Sequence, residues 1–318
     1  MDIYQTVTDL IIAGISAISA SAAICGLLLF SRFPKNRVSA FLLLVLGSLS
    51  CTYLFYGTII EPNQMVVTTQ TIDLDDYDDP SDKPVTLILI SDLHIGRYNN
   101  TPRLKHAVSK IQRIKNPTAV LILGDMVNGS SKHLDELDLL EQVAKAIPTY
   151  YILGNHDYTR HDPSLKARTI VPDLERKLEA LGIESLNNTS ITIRNGIIIG
   201  GISDIWSSDY DMSYMQDIRE EDAFIFLTHN PDGLLKAQKI LTDPHIIDFT
   251  LSGHTHGGEI RLPTIGHLWP IPVDLPQSYD RGLFSYNGFK LFITSGIGNV
   301  GSRIRTFNPP EIAVLTIR

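Results

Sequence analysis

Two stretches near the start of the chain, residues 10–31 and 38–60, contain no charged side chain. Each is long enough to cross a bilayer as a helix, which takes about 20 apolar residues. A core helix of a soluble protein would show a polar stripe. The run Ala40-Phe41-Leu42-Leu43-Leu44-Val45-Leu46 shows none. The first stretch is rich in Ala and Ser, and small residues let helices pack closely in lipid. Residues 1–60 therefore predict a transmembrane helical hairpin, and 61–84 a linker with a first strand at 65–71. From residue 85 the pattern changes. Continuous apolar runs at 85–90, 119–123 and 149–153 read as strands covered on both faces. Helical segments at 103–115 and 134–146 separate them, and this alternation predicts parallel crossovers. The second half carries a helix near 171–181 and strands at 190–193, 196–200, 224–227 and 246–251. Short strands follow at 259–262, 283–286, 291–294 and 312–317, with Gly and Pro between them, a pattern read as an antiparallel ending. The expected class is α/β, with two sheets packed together and helices outside.

Charge adds an orientation. Arg32, Lys35 and Arg37 lie in the connection between the apolar stretches, whereas Asp2 and Asp9 precede them. By the positive-inside rule that connection is cytoplasmic. Both termini, and the domain after residue 60, then lie outside the cytoplasm, periplasmic or extracellular. A cleavable secretory signal begins with Lys or Arg, and the first positive residue is Arg32. All but three of the 27 Lys and Arg and all but two of the 35 Asp and Glu fall beyond residue 60. That acidic excess argues against a nucleic-acid partner. Cys25 and Cys51 both lie in the apolar stretches and read as small packing residues. Asp73, Asp75, Asp76, Asp78, Asp79 and Asp82 crowd before Pro84. They lack the Gly and closing Glu of an EF-hand loop and read as a solvated turn.

The chemistry sits at strand ends. Five segments carry it in order: Ser91-Asp92-Leu93-His94, Gly124-Asp125, Gly154-Asn155-His156-Asp157, Thr228-His229-Asn230 and Gly253-His254-Thr255-His256. Ligands of open α/β sheets bind beyond the carboxyl ends of the strands, so these segments are expected to share one site. Period-two alternation in extended backbone would put Asp92 and His94, and likewise His254 and His256, on one side. Asp125 has two oxygens with which to bridge two cations. Asn155 adds a neutral oxygen. The Gly residues before Asp125, Asn155 and His254 permit tight turns and close approach. A mixed oxygen and imidazole set without thiolate suits manganese, iron or zinc better than calcium. Paired cations of this kind hydrolyse phosphate esters. His106, His133 and His245 read as surface residues, and His161 and His267 as loop residues beside the motifs.

The ordered series resembles the calcineurin-like metallophosphoesterase superfamily from about Val85 to the C-terminus. The ending Gly-His-Thr-His-Gly-Gly-Glu-Ile, Gly296-Ile297-Gly298 and Pro310-Glu311-Ile312 is similar to its bacterial membrane-associated branch, which usually has Gln where this chain has Glu259. The resemblance implies a four-layer αββα sandwich of two mixed sheets over residues 85–318. It implies two divalent metal ions. Asp92, His94 and His256 would hold one, Asn155, His229 and His254 the other, and Asp125 would bridge them. His156 would not bind metal. It would lie beside the phosphate and stabilise charge or protonate the leaving oxygen while a metal-activated water attacks phosphorus. Asp92 would orient the His156 imidazole.

The expected activity is hydrolysis of a phosphate ester or pyrophosphate by a cell-membrane protein. The anchor points to a membrane lipid or lipid-linked phosphate as substrate. So does the apolar, Pro-stiffened stretch Leu262 to Pro272, whose Trp269 suits a lipid interface. A UDP-2,3-diacylglucosamine hydrolase is an alternative within the superfamily, but it needs a cytoplasmic active site. A metal-binding membrane scaffold without turnover is the alternative from another class, disfavoured by the complete ligand set.

Overall fold

The computed structural model describes residues 3–74, 84–96, 100–158, 170–219, 222–301 and 303–318. Helix α1 (Ile3–Arg32) and helix α2 (Arg37–Phe55) are joined by a short turn, and α2 runs on through Tyr56–Ile60 into Glu61–Asn63. Both are long and apolar enough to cross a membrane. They pack at small residues. A Cβ added to Gly47 would sit 2.6 Å from the Ala23 amide nitrogen, so only glycine admits this approach. Ser19 and Ser50 share a 2.7 Å hydroxyl contact across the same seam.

The remaining strands are β1 (Val66–Ile72), β2 (Val85–Ile90), β3 (Ala119–Leu123), β4 (Thr149–Ile152), β5 (Glu184–Ser185), β6 (Thr189–Thr192), β7 (Ile198–Gly201), β8 (Phe224–Leu227), β9 (Phe249–Ser252), β10 (Arg261–Leu262), β11 (Gly266–His267), β12 (Gly282–Tyr286), β13 (Phe289–Ile293) and β14 (Glu311–Ile317). Helices α3 (Asn100–Ile111), α4 (Glu141–Ala144), α5 (Val171–Ala180) and α6 (Gly233–Ile240) complete the domain. One six-stranded sheet has the order β1-β14-β2-β3-β4-β5, the other β12-β13-β9-β8-β7-β6, and β10-β11 form a separate ribbon. Both sheets are mixed: β2, β3 and β4 run parallel, while β14 opposes β2 and β12 opposes β13.

Alternation along the strands builds four layers. Leu87, Leu89, Leu121 and Leu123 meet Ile225, Leu227, Phe249 and Leu251 between the sheets. Their neighbours Ile88, Ile90, Val120 and Ile122 face α3 and α5 through Leu104, Ala107, Leu174 and Leu178. On the far side Phe224, Phe226, Leu291 and Ile293 pack against Leu234 and Ala237 of α6. This is the αββα sandwich, and the apolar runs of β2 and β3 are apolar throughout because both faces are covered.

Three local expectations change. The predicted helix at 134–146 is a 3-10 stretch, Ser131–Leu140, before the single turn of α4. Leu134, Leu137, Leu140 and Val143 recur every third residue, which matches the three-residue turn of that helix. The ending is not simply antiparallel, since β13 pairs parallel with β9 and β14 parallel with β1. Helix α6, beginning just after the Thr228-His229-Asn230 segment, was not expected. The acidic residues Asp75, Asp76, Asp78, Asp79 and Asp82, and His161, lie outside the described residues.

Candidate metal centre

The loops after β2, β3, β4, β8 and β9 carry the five segments to one edge of the sandwich. Asp92, His94, Asp125 and His256 each place a ligand atom within 4.8 Å of the others. All four are buried. His94 Nε2 lies 3.0 Å from His256 Nε2, and Asp92 Oδ1 lies 3.2 Å from the same His256 atom. Apart from this His256 contact, Asp92 Oδ1 has no hydrogen-bond partner among the described residues. A second group adjoins the first. His229 Nε2 is 3.3 Å from Asp125 Oδ2 and 3.3 Å from His254 Nδ1. Asn155 is buried, and its Oδ1 has no partner among the described residues. Asp125 Oδ2 is also 3.5 Å from His94 Nε2. One carboxylate oxygen thus faces both groups.

These residues fit divalent cations. Facing imidazole lone pairs and orphaned carbonyl and carboxylate oxygens would repel or stay unsatisfied in a buried site. A cation converts the same atoms into ligands, and the mixed oxygen and nitrogen set suits a transition metal. Outer contacts fix the tautomers. Leu123 O, 2.6 Å from His229 Nδ1, accepts that N–H and leaves Nε2 facing the site. Pro272 O, 3.3 Å from His254 Nε2, does the same from the other ring edge and leaves Nδ1. The Glu259 carboxylate lies 3.3 Å from His256 Nδ1, the carboxylate–histidine arrangement that raises ligand basicity.

The field of the site favours positive charge. Burial alone would lower both His229 and His256. Asp125 outweighs it and lifts His229 to about 10. Asp92 and Glu259 lift His256 to about 9. Burial lowers His254, together with His229, to about 3, and it takes His94 well below the ordinary histidine value. Burial opposes ionisation of Asp125, yet His229 and His156 leave its carboxyl well below the usual range.

The model of the calcineurin-like phosphoesterase family matches residues 85–258. The chain belongs to the calcineurin-like phosphoesterases. An uncharacterized metallophosphoesterase of Campylobacter jejuni is 30% identical over 74% of this chain, which spans 60% of that protein's length. The uncharacterized metallophosphoesterase YkoQ of Bacillus subtilis is 27% identical over 79% of this chain and 90% of its own. Phosphodiesterase YaeI of Escherichia coli is 26% identical over 74% of this chain and 82% of its own.

In this chain the side chains converge by a different backbone route from the one period-two alternation suggests. Asp92, His94, Asp125, His254 and His256 all have positive φ, between 45° and 70°. None is in extended conformation. A run of left-handed non-glycine residues costs on the order of 1 kcal/mol or more each and persists where surrounding contacts enforce it. Gly124 takes φ +87°, and a Cβ there would stand 2.6 Å from His229 Nδ1. Asp125 also differs from expectation. Its Oδ1 accepts the His156 N–H at 2.7 Å, so Oδ2 alone faces both groups. Asp92 was expected to orient His156. Its Oδ2 accepts the His254 N–H at 3.2 Å, and His156 meets the edge of the His94 ring, centroids 4.9 Å apart.

Four residues around the centre had no assigned role in the sequence reading. Asp157, fully buried, accepts N–H groups from Val127 and Gly154 at 3.0 and 2.9 Å and ties the β3 and β4 loops together. Burial and Asp125 push its carboxyl up to about 7. Glu259 accepts Val300 N–H at 2.9 Å besides facing His256. Arg305, wholly buried, holds the carbonyls of Ser295 and Gly298. Trp206 stands edge-on to His254, centroids 4.6 Å apart, and is 45% exposed. Its loop leaves the carboxyl end of β7, the one signal that could have flagged it. His267 is engaged at both ring nitrogens by the carbonyls of Trp269 and Gln277, which makes it a loop staple. A cavity of about 560 Å³ lies between the β10–β11 ribbon and Phe307, and none of the candidate metal ligands lines it.

Proposed function

We propose that this protein is a membrane-anchored phosphoesterase that uses two divalent cations, manganese, iron or zinc, to cleave a phosphate ester of a lipid or lipid-linked substrate. The observation that carries the reading is the placement of Asp125 Oδ2, 3.5 Å from His94 Nε2 and 3.3 Å from His229 Nε2. Asp92, His94 and His256 would hold one cation, Asn155, His229 and His254 the other, with Asp125 shared. When bound, the pair supplies charge compensation and a water acidic enough to attack phosphorus near neutral pH. His156 is half-buried at the rim, where an imidazole can hydrogen-bond a phosphoryl oxygen or deliver a proton to the leaving oxygen. The Asp125–His156 main-chain bond sets where that ring stands.

Several observations support the lipid setting. The loop after the last ligands exposes Ile265, Leu268 and Trp269, at 71%, 41% and 65%. It lies beside the end of α2, where Tyr53 donates to Arg261 O at 3.0 Å. Aromatic side chains at this level match the interfacial belt of membrane proteins. The turn bearing Arg32, Lys35 and Arg37 joins the far ends of the two helices, which under the positive-inside rule supports a domain outside the cytoplasm. The named phosphodiesterase relative favours diester chemistry.

The deciding experiment assays the full chain in detergent against a chromogenic phosphomonoester and a phosphodiester, with manganese, zinc and iron in turn. Metal-dependent turnover of either class is expected. Stoichiometric metal without any turnover would instead support a scaffold. A topology reporter fused after Arg318 tests the placement, and a cytoplasmic signal would favour a nucleotide-linked lipid substrate.

A further inference from the structure

The end of the membrane hairpin does more than tether the domain. Glu61, at the close of the α2 extension, is 1% exposed. Its carboxylate accepts the main-chain N–H groups of Phe307, at 2.6 Å, and of Asn308. Four residues earlier, Gly57 O accepts the Arg305 N–H at 2.9 Å. Tyr53 contacts the Thr306 hydroxyl at 2.7 Å. The rings of Tyr53 and Tyr56 flank Phe307. Three successive turns of the anchor thus grip a single strap, residues 304–308.

That strap is the floor under His256. Asn308 Nδ2 donates to His256 O at 2.6 Å. Arg305 Nη2 lies 3.4 Å from His256 Nδ1, and it donates to Gly298 O at 2.6 Å. The Gly298 amide in turn donates to Asp92 O at 2.7 Å. The strap therefore braces two residues of the Asp92, His94, Asp125 and His256 cluster. Free of the anchor, the amides of Phe307 and Asn308 would lose the charged acceptor that fixes their positions, and hydrogen bonds to charged groups are among the stronger ones. Phe307 itself sits at φ +53°, a conformation that needs such clamping.

We propose that the last turns of the anchor, through Tyr53, Gly57 and Glu61, are positioning elements of the metal centre, so that the centre is complete only in the anchored chain. The proposal rests on the metal-centre reading above. It gives the hairpin a role beyond attachment: cleavage or displacement of the anchor would disarm the site, confining activity to the membrane-attached protein.

The test uses the full chain in detergent, loaded with Co²⁺. Affinity is measured by chelator competition, and the visible absorption of the bound ion reports ligand geometry independently of turnover. Loss of a partner outside the ligand sphere typically weakens metal binding by about 10–100-fold. Glu61→Gln and Asn308→Ala should each weaken binding by roughly tenfold and alter the spectrum. Phe33→Ala, at the far turn of the hairpin, should leave both unchanged. Tyr53→Phe removes one hydroxyl from the same clamp and serves if Glu61→Gln does not fold. A smaller loss with the same spectral change is expected of it. Parental affinity and spectrum in Glu61→Gln, or in Tyr53→Phe where it is the variant used, would overturn the proposal. If the parental chain binds no Co²⁺, the metal-centre reading fails and this proposal with it.

Discussion

Removing the His156 side chain separates turnover from metal binding, and the local geometry says by how much. Two contacts of this residue are made by its main chain. Its N–H donates to Asp125 Oδ1 at 2.7 Å, and its carbonyl accepts Gly129 N–H at 2.7 Å. Both survive in His156→Ala, so the shared Asp125 stays oriented. The ring meets the His94 ring edge-on, at 4.9 Å between centroids. The ligand set therefore keeps its shape, and metal content should match the parental chain. The lost ring withdraws a hydrogen-bond donor from the rim. Acid–base and charge-stabilising help of this sort is worth about 10²–10⁴ in rate, or roughly 3–5 kcal/mol of barrier. The assay is phosphodiester hydrolysis under saturating manganese, with elemental analysis of the same preparation. Turnover within threefold of parental would refute the role of His156. Loss of metal would refute the claim that its main chain, not its ring, braces the ligands.

Other outcomes follow from neighbouring geometry. Asp125→Asn removes the charge on the one oxygen facing both groups, so elemental analysis should find at most one metal per chain. Retention of two would contradict a shared position. Asp157 has its pKa raised to about 7 from 3.8, so the native metal-free state holds a proton that the unfolded chain has released. Its contribution to stability is present below about pH 4 and is lost as pH rises through 7. In chelator, the melting temperature should fall across that window, and Asp157→Asn should flatten the fall; an unchanged slope would count against it. Gly47→Leu should destabilise the hairpin by about 1–3 kcal/mol through overpacking. The control Gly14→Leu, where an added Cβ meets nothing within 4 Å, should leave the detergent melting temperature alone.

The sequence by itself determined the longer strands, the order of the metal-seeking segments and the apolar hairpin, and missed only short strands such as β5 and β11. These properties are local. Continuous apolar runs such as 85–90 and 119–123 name a strand covered on both faces, and an uncharged stretch of membrane length names a helix able to cross a bilayer. Residue types name a chemistry: Asp92, His94, Asp125, Asn155, His229, His254 and His256 offer hard and borderline donors and no thiolate. What only the tertiary structure decided depends on contacts between distant segments. The left-handed turns at Asp92, His94, Asp125, His254 and His256 are held by the packing of five loops, and no single loop sequence specifies them. The use of one Asp125 oxygen follows from a main-chain amide 31 residues away. The grip of Glu61 on Phe307 and Asn308 joins residues 246 and 247 positions apart, and a lone buried glutamate between Ile60 and Pro62 carries no mark of its partners. Periodicity reports which face of an element is covered. It is silent on what covers it, because that choice is made by the three-dimensional arrangement of all the covered faces at once.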